Sequence, residues 1–482
     1  MTNQKAKSTL ILAIILGLGL FLRIYRLPEL MVFGGDVARD FIEARNITTE
    51  GKIPLLGSPT SVPWLHQGAL YTYILGVVLF LGKYNPLIGG YFAVFVGVLS
   101  IYILFRLGKL FFSEKAGLWA SFFYAVSPLT VIFDRYPYHQ NLISIFTMLF
   151  FASLYLSAKK TRFFPLSAFI LGLLLQIELS NLVLVPALLV LILDYRKKTS
   201  FRALLFSLAA FAITWLPKLI YDIPTGFTQT LGFAAWFFHK ILPVDLVNQG
   251  SSSLPLTERF LRLFTYFSRI VFWQSVFLSA ILVFGAILFL ISNFSFRKRK
   301  ENLSLYLLIL WFLFPLLGFV IQGSPSESYV PVLFAFFPLA FSYLLTNFNL
   351  LKPLSFLFPL ALASFSMFTL LTNDYFVLTG KETLAKTYNF GPSFKLNMEM
   401  AKHIVKEAGK EDYNLMPLGV FSHFPSSKLN LVYLTWYLGH PPSLKEEKLK
   451  FFVYDNSNNY SFFGSENIKK FNNLTIAKKD EN

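Results

Sequence analysis

An all-α polytopic membrane protein with a small α/β domain at its C-terminal end is the fold class that this 482-residue sequence predicts. Three observations predict it. Hydrophobic residues make up 55% of the chain and charged residues only 14%, with 56 Phe, whereas soluble domains carry about a quarter charged residues. Apolar runs of membrane-crossing length recur, and in hydrocarbon each can satisfy its own backbone only as a helix. From about residue 373 charge and Asn rise and the apolar runs shorten.

The first run, STLILAIILGLGLFLRIYRL, follows Lys5 and Lys7 as a signal peptide would, but no small-residue cleavage site ends it. It reads as a retained anchor with its N terminus in the cytoplasm. Eleven further apolar segments follow, at roughly 68–82, 86–107, 116–133, 140–158, 163–179, 181–195, 201–220, 268–293, 303–321, 328–347 and 353–372. Basic clusters lie at Arg106, Lys109 and Lys115, at Lys159, Lys160 and Arg162, at Arg196 to Lys198 with Arg202, at Arg297 to Lys300, and at Lys352. If all twelve segments crossed, every cluster would fall outside, against the positive-inside bias. The 15-residue segment 68–82 is short for a span of about 20 residues. Placing it on the outer face as a juxtamembrane helix leaves about eleven spans and makes every basic cluster cytoplasmic.

This parity divides the chain into a membrane module, 1–372, and an extracytoplasmic domain, 373–482. Residues 27–85 become one long external loop. It puts DRYPYHQN (134–141), QIELSN (176–181), residues 221–267, QGSPSES (322–328) and all six histidines on the same face. Within 221–267, AAWFFHKIL and LTERFLRLFTYFSR look amphipathic, and Arg259, Arg262 and Arg269 suit snorkelling or phosphate contact. In the last domain, 395–409 has helical spacing, and 413–421 and 450–455 read as strands. No internal repeat is visible.

The +17 net charge would suit nucleic acid in a soluble chain, but these cations sit in short clusters between apolar runs, so no nucleic-acid partner is expected. The absence of Cys excludes disulfides and thiolate metal sites. No Walker loop, dinucleotide fingerprint, HExxH or GxSxG occurs in a usable context.

The polar residues that remain gather in the external turns. VFGGDVARDFIEARN holds Asp36, Arg39, Asp40, Glu43 and Arg45 behind Gly34-Gly35. Asp36 suits the N-cap of a helix from Val37 to about Thr48. Asp36, Asp40 and Glu43 share a face at i, i+4 and i+7, and Glu43 and Arg45 suit a solvated face. At the bilayer surface a carboxylate meets both lipid-borne substrate and water. His66 stands at the entrance of the short apolar helix, which carries Tyr71 and Tyr73, and reads equally as a structural donor. Arg135, His139 and Asn141 share one turn with two tyrosines and suit phosphate or sugar binding. Glu178 is an isolated acid at a helix end: a hairpin cap or a functional group.

GGDVARDFIEARNI, IPLLGSPTSVPWLHQGALYTYILG, RLGKLFF followed by AGLWASFFYAVSPLTVI, RYPYHQN and GLLLQIELSNLVLVPALL occur in that order. Over about residues 8–220 this resembles the GT-C superfamily of membrane glycosyltransferases, in its protein O-mannosyltransferase and aminoarabinose transferase-like branch (glycosyltransferase family 39-like). The resemblance implies inverting transfer of a sugar from a polyprenyl-phosphate donor to a protein, lipid or glycan acceptor at the outer face of the cell membrane. It assigns Asp36 as the base, with Asp40 as a partner or metal ligand. Val37 stands where many members have a second acid, Asn141 where an aspartate is common, and His66 where a basic residue is common. The donor-binding candidates are Arg39, His66, Tyr71, Arg135, His139, Asn141 and Glu178. A lipid phosphate is a good leaving group, so no second carboxyl is required as general acid. The expected site is metal-independent; the alternative is Mg²⁺ or Mn²⁺ held by Asp36 and Asp40.

Two other classes compete. A transporter or flippase of lipid-linked saccharide would place charged or broken helices at mid-membrane, and a glycan-binding scaffold would dispense with Asp36.

Overall fold

The computed structural model describes residues 2–60, 62, 64–241, 254–323, 325–347, 357–379, 390–419, 422, 425–455, 468–471 and 474–480. His423, Lys352 and the middle of the predicted outer segment, 242–253, lie outside the described residues.

Among the described residues nineteen α-helices run in chain order. The first loop is framed by α1 (Thr2–Ile24), α2 (Leu27–Leu30), α3 (Gly35–Thr49) and α4 (Leu70–Leu81). The body of the membrane module follows as α5 (Leu87–Phe111), α6 (Glu114–Val126), α7 (Pro128–Phe133), α8 (Asn141–Lys159), α9 (Phe164–Ile177), α10 (Val185–Asp194) and α11 (Phe201–Asp222). It closes with α12 (Thr230–Ile241), α13 (Leu256–Val271), α14 (Val276–Ser292), α15 (Leu303–Gln322), α16 (Phe336–Asn347) and α17 (Leu357–Thr372). Local sequence sets several boundaries. Ser113, Ser200 and Ser275 cap α6, α11 and α14 by accepting from backbone N–H groups three residues on. Pro128 interrupts the apolar segment 116–133 by ending α6 and opening α7.

Five helices are each long and apolar enough to cross a bilayer, and two bent pairs raise the number to seven among the described residues. The other predicted spans form helices that are shorter or broken. The segment 181–195 begins as a 3₁₀ stretch, Leu179–Leu184, before α10; the steeper 3₁₀ rise carries these 16 residues about 27 Å. The segment 268–293 is two helices, α13 and α14, meeting at 87°. In its first helix Arg259 donates to the Val320 carbonyl at 2.7 Å, Arg262 pairs with Glu258 at 2.9 Å, and Arg269 pairs with Glu327. These cations serve the helix and its neighbours.

The turns with basic clusters meet at one end of the bundle. Thr161 Oγ1 donates to the Lys198 carbonyl at 3.0 Å, Arg299 to Asp194 at 2.7 Å, and Ser304 Oγ to the Phe111 carbonyl at 2.6 Å. The short helix α4 runs along α3 at the opposite end. Gly76 approaches the Ala44 carbonyl so closely that a Cβ would lie 3.2 Å from it. Tyr71 at its start meets His139, and Tyr84 beyond its end packs on Trp436.

The C-terminal domain contains α18 (Phe394–Ala408), α19 (Leu429–Tyr437) and four strands: β1 (Tyr413–Pro417), β2 (Leu449–Asp455), β3 (Ile468–Phe471) and β4 (Leu474–Asp480). The strand order is β1-β2-β4-β3, with β1 and β2 parallel and the other pairs antiparallel. The parallel pair requires a crossover, which contains α19. This domain packs directly onto α3. Tyr433 sits edge-on to Phe33 and Phe41 at 5.9 and 5.5 Å, Asn397 Nδ2 donates to the Phe33 carbonyl at 2.8 Å, and Arg45 lies 4.4 Å over Trp436. Gly35 is needed at this junction, because a Cβ there would stand 1.9 Å from the Ser426 carbonyl oxygen.

Candidate active site

The charges of α3 divide between its solvent side and its buried side. The helix starts two residues earlier than its sequence suggests: Gly34 is the N-cap, and Asp36 occupies the first turn without a capping bond. Fixed by the helix alone, Asp36 leaves its carboxylate 55% exposed, with Arg39 Nη1 at 3.2 Å. Asp40, one turn on, is fully buried. It accepts from Ser58 Oγ, and Arg39 Nε lies 3.6 Å from it. Arg39 thus stands between the two carboxylates.

Glu43 and Arg45 do not form the solvated face that their spacing suggests. Burial, with Asp40 adding to it, raises the Glu43 pKa to about 7. Arg45 covers Trp436.

On the buried side, Asp40 faces His139 Nδ1 at 3.7 Å, an ion-pair distance, and His139 Nε2 lies 3.0 Å from Glu178 Oε2. Gln67 completes the line, donating from Nε2 to Glu178 Oε1 at 2.6 Å and accepting from Leu179 N–H at 2.8 Å. The Tyr138 ring is 4.0 Å from the imidazole and the Tyr71 ring meets it edge-on at 6.1 Å. Burial disfavours charging His139, but the two adjacent carboxylates outweigh it and raise its pKa to about 9.

A second polar cluster lies at His66. Lys218 Nζ, on α11, donates to its carbonyl at 2.7 Å, and its N–H donates to Gln229 Oε1 at 2.9 Å. Burial and the charges of Lys218 and Arg39 hold the His66 imidazole below its ordinary pKa. Three basic side chains, Arg39, His66 and Lys218, therefore share one neighbourhood.

Beside it opens a cavity of about 400 Å³, walled by Leu65, Leu182, Trp236, Phe314, Phe319 and other apolar side chains, with Glu178 the one acidic residue among the described residues that line it.

Arg135 and Asn141 lie outside this arrangement. Arg135 donates from Nη1 to the carbonyls of Leu22, Arg23 and Tyr25 and stacks 3.9 Å over Tyr375. Its Nη1 caps the C-terminal end of α1, while its Nη2 is buried without a hydrogen-bond partner among the described residues. Asn141 Nδ2 reaches the Ala93 and Phe133 carbonyls at 3.4 and 3.3 Å. Sequence reasoning passed over Ser58, Gln67 and Lys218. Of these only Lys218 carried a signal, as a lone cation inside an apolar run.

The chain is similar in structure to ArnT from Cupriavidus metallidurans bound to undecaprenyl phosphate, with a TM-score of 0.59 and 11% identity, covering 99% of this chain and 98% of that one. The apo state of ArnT gives a TM-score of 0.59 and 12% identity, with 99% of each chain covered. The apo oligosaccharyltransferase of Archaeoglobus fulgidus gives 0.51 and 13%, covering 93% of this chain and 69% of that one. The chain has the GT-C fold. No family model and no curated protein sequence matches it.

On this GT-C scaffold the acidic residues of the first loop do not fit a divalent cation. Such an ion needs several converging oxygen ligands, but Asp36 pairs with Arg39, and Asp40 is ringed by Ser58, Arg39 and His139. Among the described residues no group of three or more His, Asp or Glu converges to hold a metal ion.

Proposed function

We propose that this protein transfers a sugar from a polyprenyl-phosphate donor to an acceptor hydroxyl or amine at the outer face of the cell membrane, with inversion. One observation carries this reading: a half-exposed carboxylate, Asp36, pairs with Arg39, whose charge also reaches the imidazole of His66, and Leu65, next to His66 in the chain, walls an apolar cavity. The cavity takes the proximal isoprenoid units, and Arg39, His66 and Lys218 take the phosphate.

Asp36 accepts the proton of the acceptor nucleophile. The nucleophile bonds to the anomeric carbon from the face opposite the phosphate, and the C–O bond to the phosphate breaks with its electron pair going to oxygen. The basic groups stabilise the charge that develops there. Glu178, in the wall of the cavity, borders the space for the sugar. In the mechanism no step passes through a metal ion.

A transporter is disfavoured by the placement of the cluster, which gathers in turns at one end of the bundle. The test uses purified protein, a labelled polyprenyl-phosphate sugar and candidate protein, lipid and glycan acceptors. Transfer that is lost in Asp36→Asn and survives a chelator is expected. Undiminished transfer by that variant would remove Asp36 as base, and no consumption of any donor would remove the enzyme reading.

A further inference from the structure

We propose that His139 is a positioning residue that couples the carboxylate at the cavity, Glu178, to the carboxylate beneath the catalytic helix, Asp40. This inference rests on the transferase reading for its kinetic consequence, although the bridge itself can be tested without it.

Three separate segments supply the bridge. Asp40 projects from the second turn of α3, His139 from the turn between α7 and α8, and Glu178 from the C-cap of α9. No backbone hydrogen bond links Asp40 to Glu178, so the imidazole is the connection between them: Nε2 lies 3.0 Å from Glu178 and Nδ1 3.7 Å from Asp40. The ring has little freedom, because Tyr138 lies over it and Tyr71 closes its edge. Besides Arg39, which lies 3.6 Å from Asp40, each acid has one neutral side-chain anchor, Ser58 for Asp40 and Gln67 for Glu178. Both anchors fix position without supplying charge.

Glu178 borders the cavity, whereas Asp40 is held against Arg39, which also holds Asp36. A donor that shifts Glu178 therefore moves His139 against Asp40, and Asp40 acts on the Arg39–Asp36 pair. The imidazole is packed between two tyrosine rings, and a packed bridge transmits such a displacement. Without the imidazole, the two buried acids lose their shared partner and respond independently.

The experiment is a double-substitution cycle, D40N and E178Q singly and together, in the wild-type background and in His139→Gln and His139→Ala. Donor KM and kcat are measured for transfer, and thermal unfolding is measured on the same samples. With His139 present, the combined effect should depart from the product of the single effects by about fivefold or more. E178Q should also lower kcat as well as raise donor KM. In His139→Ala the effects should multiply within about twofold, with E178Q confined to KM. His139→Gln retains a donor toward one acid and guards against a general folding defect. Independent effects in the wild-type background would overturn the proposal. If wild type consumes no donor, the transferase reading fails, and the unfolding cycle alone decides whether the bridge exists.

Discussion

Replacing Asp36 by Asn removes a proton acceptor while keeping nearly the same shape, and the structure separates its effect on rate from its effect on stability. The Asp36–Arg39 pair is 3.2 Å long, but the carboxylate is 55% exposed, so solvent screening keeps its contribution near or below about 1 kcal/mol. Loss of a general base costs about 10² to 10⁴ in rate. Asp36→Asn should therefore lower kcat/KM by that factor and move the melting temperature by less than about 2 °C. Asp40→Asn provides the contrast. Asp40 is fully buried with Arg39 and His139 at 3.6 and 3.7 Å, and removing one partner of a buried charge cluster costs about 3–5 kcal/mol. Transfer from a radiolabelled donor and differential scanning fluorimetry on the same preparations check both. An Asp36→Asn protein that keeps a third of its activity, or that is as unstable as Asp40→Asn, would refute the division of α3 into a reacting and a supporting carboxylate.

The other predictions concern the cations, pH and the domain junction. Lys218→Met should cut donor turnover by about 10² to 10³, whereas Arg135→Gln, which strips α1 of its cap, should lower the melting temperature and leave the donor KM of the folded fraction unchanged. Glu43 has a pKa raised from 4.5 to about 7, and His139 one raised from 6.5 to about 9. For each, the folded state holds its proton more tightly, so stability is full below the unfolded value and is lost as pH rises through the folded one. Unfolding followed from pH 4.5 to 9 should show stability falling with pH, with Glu43→Gln flattening the window between 4.5 and about 7 and His139→Gln that between 6.5 and about 9. Gly35→Ala forces a Cβ to within 1.9 Å of the Ser426 carbonyl, and since backbone cannot give way as a side chain can, faster proteolysis at the domain junction and loss of transfer are expected.

How much of this was legible in the sequence depends on the range of the interaction concerned. The apolar runs became helices, because a backbone in hydrocarbon has no other partner than itself. The C-terminal helix at 395–409 and the strands at 413–421 and 450–455 correspond to α18, β1 and β2. By contrast β3 and β4 carry too few apolar residues to announce themselves, and α19, with seven of its nine residues apolar, is too short for its period to be read; they form because a sheet and the surface of α3 lie beside them. Asp36, Arg39, His66, Tyr71, His139 and Glu178 were each visible as polar residues in an apolar chain, yet their partners were not. Arg135 and His139 stand four residues apart in one turn, but one caps α1 and the other bridges Asp40 and Glu178.

By itself the sequence determined that the chain is helical and membrane-embedded, and that its unexplained charges gather in alternate turns. Hydropathy and charge are local quantities, read residue by residue. Only the tertiary structure decided which of those charges neutralise one another. Arg23 with Asp134 and Arg299 with Asp194, each at 2.7 Å, join residues more than 100 positions apart. Such pairings depend on how the helices pack, and the same packing leaves Asp36 half exposed beside Arg39 while it buries Asp40 one turn away.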